Sequence, residues 1–443
     1  MGELISSAEA EPLTKKFKVS VPMDSFPFQV FDHADTIEHL DLSGTGLSYL
    51  PNTFGQLKRL KIAFFSNCNF TVFPEELAKC SQLEMVAFRS NRMREIPEDA
   101  LPSRLRWLIL TNNEIEMLPK TIGKCSRLQK CMLSGNRLRT IPDEMSLCRK
   151  LGLLRLSANL IETLPPWLFA MPELAFLSFA GNPCSFVAAQ VASEATALPS
   201  VPWTDIEVKE LLGEGASGII SKGCWKTEDG VRQVAVKLFK GDVTSDGTPL
   251  DEMRACIGAG SHENLIDPYG EITGHPDKKG LVMQLIPPLY QTLGLPPSLD
   301  SCTRDCFPPA TKLRLFQGLK LLRGVASVAA HLHVRGIAHG DLYAHNILYD
   351  TAGHALLGDF GAASIYRDYV LEKIEVLAFA HLMEDVQNLI ELGSDEAASP
   401  DAVLAMKTLA KLRESCAKTG VSERPSFTAI ETTLADLVRK IIL

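Results

Sequence analysis

The glycines of Gly213-Glu214-Gly215-Ala216-Ser217-Gly218 fit the pattern G-x-G-x-x-G, with Ile220 at the next strand position. Residues 208–237 read as strand, glycine-rich turn, strand and strand. Without Cβ atoms in the way, the backbone of such a hairpin can close over phosphates. Alone, the pattern fits a plain turn equally well. A β-type strand rather than a helix follows it, which argues against a dinucleotide-binding fold. Val234-Ala235-Val236-Lys237 then ends an apolar strand on a lysine, and the small Ala235 leaves room for a flat ring. His339-Gly340-Asp341-Leu342-Tyr343-Ala344-His345-Asn346 sets a carboxylate, Asp341, and an amide, Asn346, five residues apart in a loop. Asp359-Phe360-Gly361 follows 18 residues after Asp341, behind the apolar run Ala355-Leu356-Leu357.

In this order and at this spacing, the motifs resemble the protein kinase superfamily across about residues 203–443. The resemblance implies a bilobal α+β fold, with an N-lobe over about 203–286 and a C-lobe over about 287–443. ATP and Mg²⁺ are the implied cofactors. Lys237 would hold the α- and β-phosphates and pair with a helix glutamate. Glu252 fits, because His262-Glu263-Asn264-Leu265-Ile266 follows at the usual distance; Asp251 is the alternative. Asp359 and Asn346 would bind Mg²⁺, and Asp341 would orient the substrate hydroxyl and accept its proton. Adenine would lie between Ile220 and Ala235 above and Leu348 below. Leu281-Val282-Met283-Gln284-Leu285-Ile286 would be the strand into the hinge, with Met283 as gatekeeper and Gln284 and Ile286 beside the ring. Glu423-Arg424-Pro425 resembles the C-lobe arginine motif, whose part is an ion pair, and Trp203 is similar to the tryptophan ahead of the first strand in tyrosine-kinase-like serine/threonine kinases.

The match has departures. Gly340 stands where many kinases carry an arginine that grips an activation-loop phosphate, so activity should not require phosphorylation at Ser364, Tyr366 or Tyr369. Tyr343 and His345 replace the positive charges that serine/threonine and tyrosine kinases respectively place there. Some transition-state stabilisation must then come from elsewhere or be missing. There is no Ala-Pro-Glu, and Glu375-Val376-Leu377-Ala378-Phe379 already resembles the start of the central C-lobe helix. Glu372 is the candidate partner for Arg424, and the platform for a peptide substrate is reduced.

The first half of the chain is a repeat array. Aligned on Leu/Ile-x-x-Leu-x-Leu-x-x-Asn-x-Leu, seven units start at Ile37, Leu60, Leu83, Leu105, Leu128, Leu151 and Leu174, spaced by 23, 23, 22, 23, 23 and 23 residues. The ninth position reads Thr45, Cys68, Asn91, Asn113, Asn136, Asn159 and Asn182. An amide there can satisfy backbone groups where the chain leaves the strand, and repetition stacks the amides. Thr45 and Cys68 suit a less regular N-terminal end. Residues 37–184 resemble the leucine-rich-repeat family, which implies an α/β curved solenoid with a parallel sheet on its concave face. On that face Ile62, Phe64, Met85, Trp107, Ile109 and Met132 would form an exposed apolar stripe flanked by Arg89, Arg106, Lys130 and Arg155. Such a stripe suits a protein partner or docking onto the second domain.

Residues 1–36 are then an N-terminal segment and solenoid cap, and 185–202 a linker whose Ala-rich part, 186–198, could cap the solenoid before Pro199-Ser200-Val201-Pro202. A net charge of −8 disfavours nucleic acid as partner. No apolar run reaches the roughly 18 residues of a membrane span. The first 30 residues lack a signal-peptide core. The 11 cysteines are scattered singly, as reduced core thiols of a cytoplasmic protein would be. Met1-Gly2-Glu3-Leu4-Ile5-Ser6 fits a loose myristoylation pattern, but an acidic residue directly after Gly2 favours a plain disordered start. The expected activity is γ-phosphate transfer from ATP to Ser/Thr hydroxyls. A non-catalytic nucleotide-binding scaffold and a small-molecule kinase are the alternatives.

Overall fold

The computed structural model describes residues 15–185, 198–215, 217–240, 243–244, 246–367, 370–393 and 399–442. The Met1–Ser6 pattern, nearly all of the 186–198 capping segment, Ala216 and Tyr369 lie outside them.

The 23-residue period produces one parallel sheet, β1–β8 in sequence order. Its strands are β1 (Lys16–Lys18), β2 (His39–Asp41), β3 (Ile62–Phe64), β4 (Met85–Ala87), β5 (Trp107–Ile109), β6 (Lys130–Met132), β7 (Leu153–Arg155) and β8 (Phe176–Ser178). The central residue of each repeat strand points inward, and Leu40, Ala63, Val86, Leu108, Cys131, Leu154 and Leu177 are all buried. β1 was not among the seven repeats; it extends the sheet by pairing Phe17 with Leu40. The asparagine ladder forms where the amides exist. Asn113, Asn136, Asn159 and Asn182 donate through Nδ2 to Phe88, Leu110, Leu133 and Leu156 oxygens one repeat earlier, at 2.8, 2.9, 3.0 and 2.9 Å. At the N-terminal end, the Thr45 hydroxyl turns back locally to the Leu42 oxygen at 2.7 Å.

The second unit has a mixed sheet of order β10-β11-β12-β14-β13-β9. The strands are β9 (Ser200–Pro202), β10 (Ile206–Glu214), β11 (Gly218–Thr227), β12 (Gly230–Phe239), β13 (Pro268–Thr273) and β14 (Gly280–Met283). Against it packs α1 (Pro249–Ala259), started by Pro249 at its first position and by the Thr248 hydroxyl, which accepts from Asp251 N at 3.2 Å. Beyond the hinge lie the short strands β15 (Gln291–Thr292), β16 (Ile337–Ala338), β17 (Ile347–Tyr349), β18 (Ala355–Leu357) and β19 (Ser364–Ile365). Among the described residues, four helices complete this lobe: α2 (Leu315–Val334), α3 (Val370–Leu389), α4 (Pro400–Cys416) and α5 (Phe427–Ile442). The central helix α3 thus begins ahead of the Glu375 start read from the sequence.

The two units share their cores. Ala338, Tyr366, Leu371 and Ile374 join the solenoid interior, while Met132, Leu153, Ala175 and Phe176 join that of the second unit. This corrects the expectation of a fully exposed stripe. Met132 is buried in the junction, Ile109 packs against it, and Met85 is also buried; Ile62, Phe64 and Trp107 are half-buried. Among the described residues no helix is long and apolar enough to cross a membrane, and all eleven cysteines are unpaired thiols.

Candidate active site

Antiparallel pairing of β12 with β14 sets Ala235 opposite Met283 and Lys237 opposite Leu281. This register brings the lysine to the inner wall of a cleft between the lobes. Helix α1 carries Glu252 to it, and Lys237 Nζ is ion-paired with the Glu252 carboxylate, both groups buried. Asp251, the alternative, instead bonds Thr248 and Arg254. Burial works against the Lys237 charge, but Glu252 and Asp359 outweigh it and raise its pKa.

The loop between β16 and β17 is held from below. Backbone N–H groups of His339 and Gly340 donate to the Glu375 carboxylate at 3.2 and 2.6 Å, and His339 Nε2 lies 2.9 Å from Gly358 O. Asn346 Nδ2 donates to both the backbone oxygen and Oδ2 of Asp341, each at 2.9 Å. Burial raises the pKa of Asp341, the pull of Arg155 notwithstanding.

The cleft encloses a cavity of about 420 Å³, within the usual range for a small-ligand site. Gly215, Ser217, Gly218, Ile220 and Ala235 line its upper wall, and Met283, Gln284, Ile286 and Leu348 line the hinge side and floor. Lys237, Glu252 and Asp359 stand at its inner end. Gly213 and Glu214 do not line it. They lie in β10, where Gly213 pairs with Ile220 and Glu214 with Ile219 of β11, and the Glu214 carboxylate bonds Lys240 Nζ. Asp341 and Asn346 do not line the cavity, and Asp341 meets Arg155 of the solenoid instead. Leu212, Cys256, Ile266, Pro287, Tyr290 and Phe360 also line it and were not singled out from sequence. Cys256 follows Glu252 by one helical turn, a signal that could have found it.

The donor set suits a magnesium-bound nucleotide. Apolar side chains such as Ile220, Ala235, Met283 and Leu348 line the cavity together with the charged Lys237, Glu252 and Asp359. Among the described residues there is no cluster of three or more His, Cys, Asp or Glu that could cage a metal by itself.

The solenoid closes the other side of the loop. Arg155 on β7 donates Nε to Asp246 Oδ1 and Nη1 to Gly340 O, both at 2.7 Å, and bonds Asp341 Oδ1 through Nη2. Phe179 N donates to Ser364 Oγ at 2.8 Å. Gly340 has φ of +72°, and a Cβ there would lie 2.5 Å from Ala362 O and 2.9 Å from Leu177 O of the solenoid. A side chain therefore has no place at this position. Arg424 corrects a second expectation, for it makes no ion pair with Glu372. Its donors go to the carbonyls of Lys418, Lys373 and, across the junction, Pro172, while Glu372 accepts from Phe427 N at 2.7 Å.

Comparison with known proteins agrees with both halves. Residues 206–377 match the protein tyrosine and serine/threonine kinase family, and residues 103–161 match the leucine rich repeat family. An L-type lectin-domain containing receptor kinase V.7 of Arabidopsis thaliana is 31% identical over 163 residues, covering 36% of this chain and 23% of that protein. A serine/threonine-protein kinase of Dictyostelium discoideum, so named as probable, is 27% identical over 173 residues, covering 39% of this chain and 10% of its own length. The chain thus spans at most about a quarter of these relatives.

Proposed function

The chain joins leucine-rich repeats to a kinase domain, and from that premise we propose that it is an ATP- and Mg²⁺-dependent protein kinase that phosphorylates serine or threonine hydroxyls. The observation that carries the reading is that Lys237 is paired with Glu252 in the cavity that Asp359 also lines, while Asn346 holds Asp341 in the loop between β16 and β17. A kinase needs its lysine–glutamate pair and its metal-binding aspartate in place together.

When bound, ATP with Mg²⁺ supplies the transferable phosphoryl group and part of the charge that neutralises it. Lys237, set by Glu252, would hold phosphate oxygens. Asp359 and Asn346 would provide metal ligands. Asp341 would orient the acceptor hydroxyl and take its proton. Ile220, Ala235 and Leu348 would enclose the base, with Met283, Gln284 and Ile286 along its edge. The solenoid recruits a protein through the half-buried Ile62, Phe64 and Trp107 of its concave face. Trp107→Asp should then abolish partner capture and leave ATP affinity unchanged.

A second reading, transfer to a small hydroxyl-bearing molecule, draws support from the solenoid seated on Gly340 and Ser364, where a peptide platform would otherwise lie. Purified protein with radiolabelled ATP separates the two. Label in a protein band that disappears in Lys237→Ala and Asp359→Ala supports the first. Label only in a small solute supports the second, and retained transfer in both variants would falsify the assigned roles.

A further inference from the structure

The catalytic loop contains no free cation. Tyr343 is stacked on Phe176, and His345 is held at 2.8 Å by the Asp305 carboxylate. A buried cation reaches the loop from the solenoid instead. Arg155 is 2% exposed, and its three bonds join Asp341, Gly340 and Asp246. Asp246 lies just ahead of α1, the helix that carries Glu252. One guanidinium therefore ties the loop of the lower lobe to the entry of the helix that sets Lys237. Beside it on β6, Lys130 lies 4.2 Å over the Trp107 ring.

We propose that Arg155 is a positioning residue for phosphoryl transfer, acting from the repeat arm as the cation that the catalytic loop itself lacks. This rests on the kinase reading. In the step, the acceptor oxygen bonds to the γ-phosphorus, and the bond from that phosphorus to the β–γ bridging oxygen breaks. ADP leaves with the electron pair, and the hydroxyl proton passes to Asp341 and then to water. Arg155 holds the accepting carboxylate in place and adds positive charge beside it.

Two observations favour a working part over a detachable brake. The junction is continuous core, with Met132, Leu153 and Phe176 in one interior and Leu371 and Ile374 in the other, so opening it would expose large apolar surfaces. With the arm docked, the Lys237–Glu252 and Asp341–Asn346 pairs are both made. A brake would be expected to disturb at least one of them.

The test uses the full chain with Arg155→Gln and the charge-keeping Arg155→Lys, each checked for folding by thermal melt. Titration with Mg·ADP, alone and with fluoroaluminate, measures binding of a planar phosphoryl mimic without turnover. Arg155→Gln should bind Mg·ADP as the wild type does, yet lose about 10- to 100-fold in affinity for the mimic, as a group acting on the transition state must. Its kcat should fall about 100-fold with little change in KM for ATP, and Arg155→Lys should recover part of both. Mimic affinity equal to wild type, or a kcat equal to or above it, overturns the proposal. So does Arg155→Lys being as poor as Arg155→Gln with Mg·ADP binding also lost, which is the mark of a purely structural role. Wild-type protein without Asp359-dependent transfer would sink the kinase reading and this one together. Wild-type transfer undiminished in Arg155→Gln sinks this one alone.

Discussion

Phe176 and Tyr343 lie face to face, with ring centroids 3.9 Å apart and planes 9° from parallel. The first belongs to the last strand of the solenoid and the second to the loop between β16 and β17, at a position where the resemblance to serine/threonine kinases implies a lysine. An aromatic residue here makes sense as half of a junction. It exchanges a local charge for an anchor, and Arg155 arrives beside it.

Phe176→Ala should remove this anchor and cost about 3–5 kcal/mol, the usual range for deleting a buried aromatic. Because the interiors are continuous, the wild type should unfold calorimetrically in one transition. Two well-separated peaks in the wild type would show that the junction is not core.

Placing an arginine at Gly340, where the resemblance to protein kinases implies one, should damage the protein. The position has φ of +72° and no room for a Cβ, and such strain costs about 1–3 kcal/mol before any clash is counted. A melting temperature equal to wild type would contradict the geometry.

Phosphatase treatment should leave activity unchanged. Ser364 is buried with its hydroxyl accepting from Phe179 N, and the Tyr366 hydroxyl bonds His333 in the interior, so neither is available for modification while the junction is closed. Loss of turnover after dephosphorylation would be the contrary result.

Stability should depend on His345 through neutral pH. Burial opposes its protonation, but the hydrogen bond and charge of Asp305 outweigh that and raise its pKa. A raised folded-state value stabilises fully below the unfolded pKa of about 6.5, and the contribution is lost as pH rises through the folded value. The urea midpoint should therefore fall more between about pH 6 and about pH 8 in the wild type than in Asp305→Asn, which removes the partner. Equal slopes in the two proteins would exclude the pair as the cause.

Periodicity and short-range motifs were legible without coordinates because they encode local geometry. A 23-residue leucine period dictates a stacked parallel sheet, and Lys237, Glu252 and Asp359 sit at spacings that a strand, a helix and a loop bring to one cavity. Repetition also marked Arg155 as facing the concave side, but not what would stand opposite it. Its partner Asp341 lies 186 residues away. That pairing, the burial of Met85 and Met132, and the turning of Arg424 from Glu372 to Pro172 O were decided by tertiary packing. A repeat determines which way a side chain points. Which distant surface meets it depends on how two units dock, and no local pattern records that.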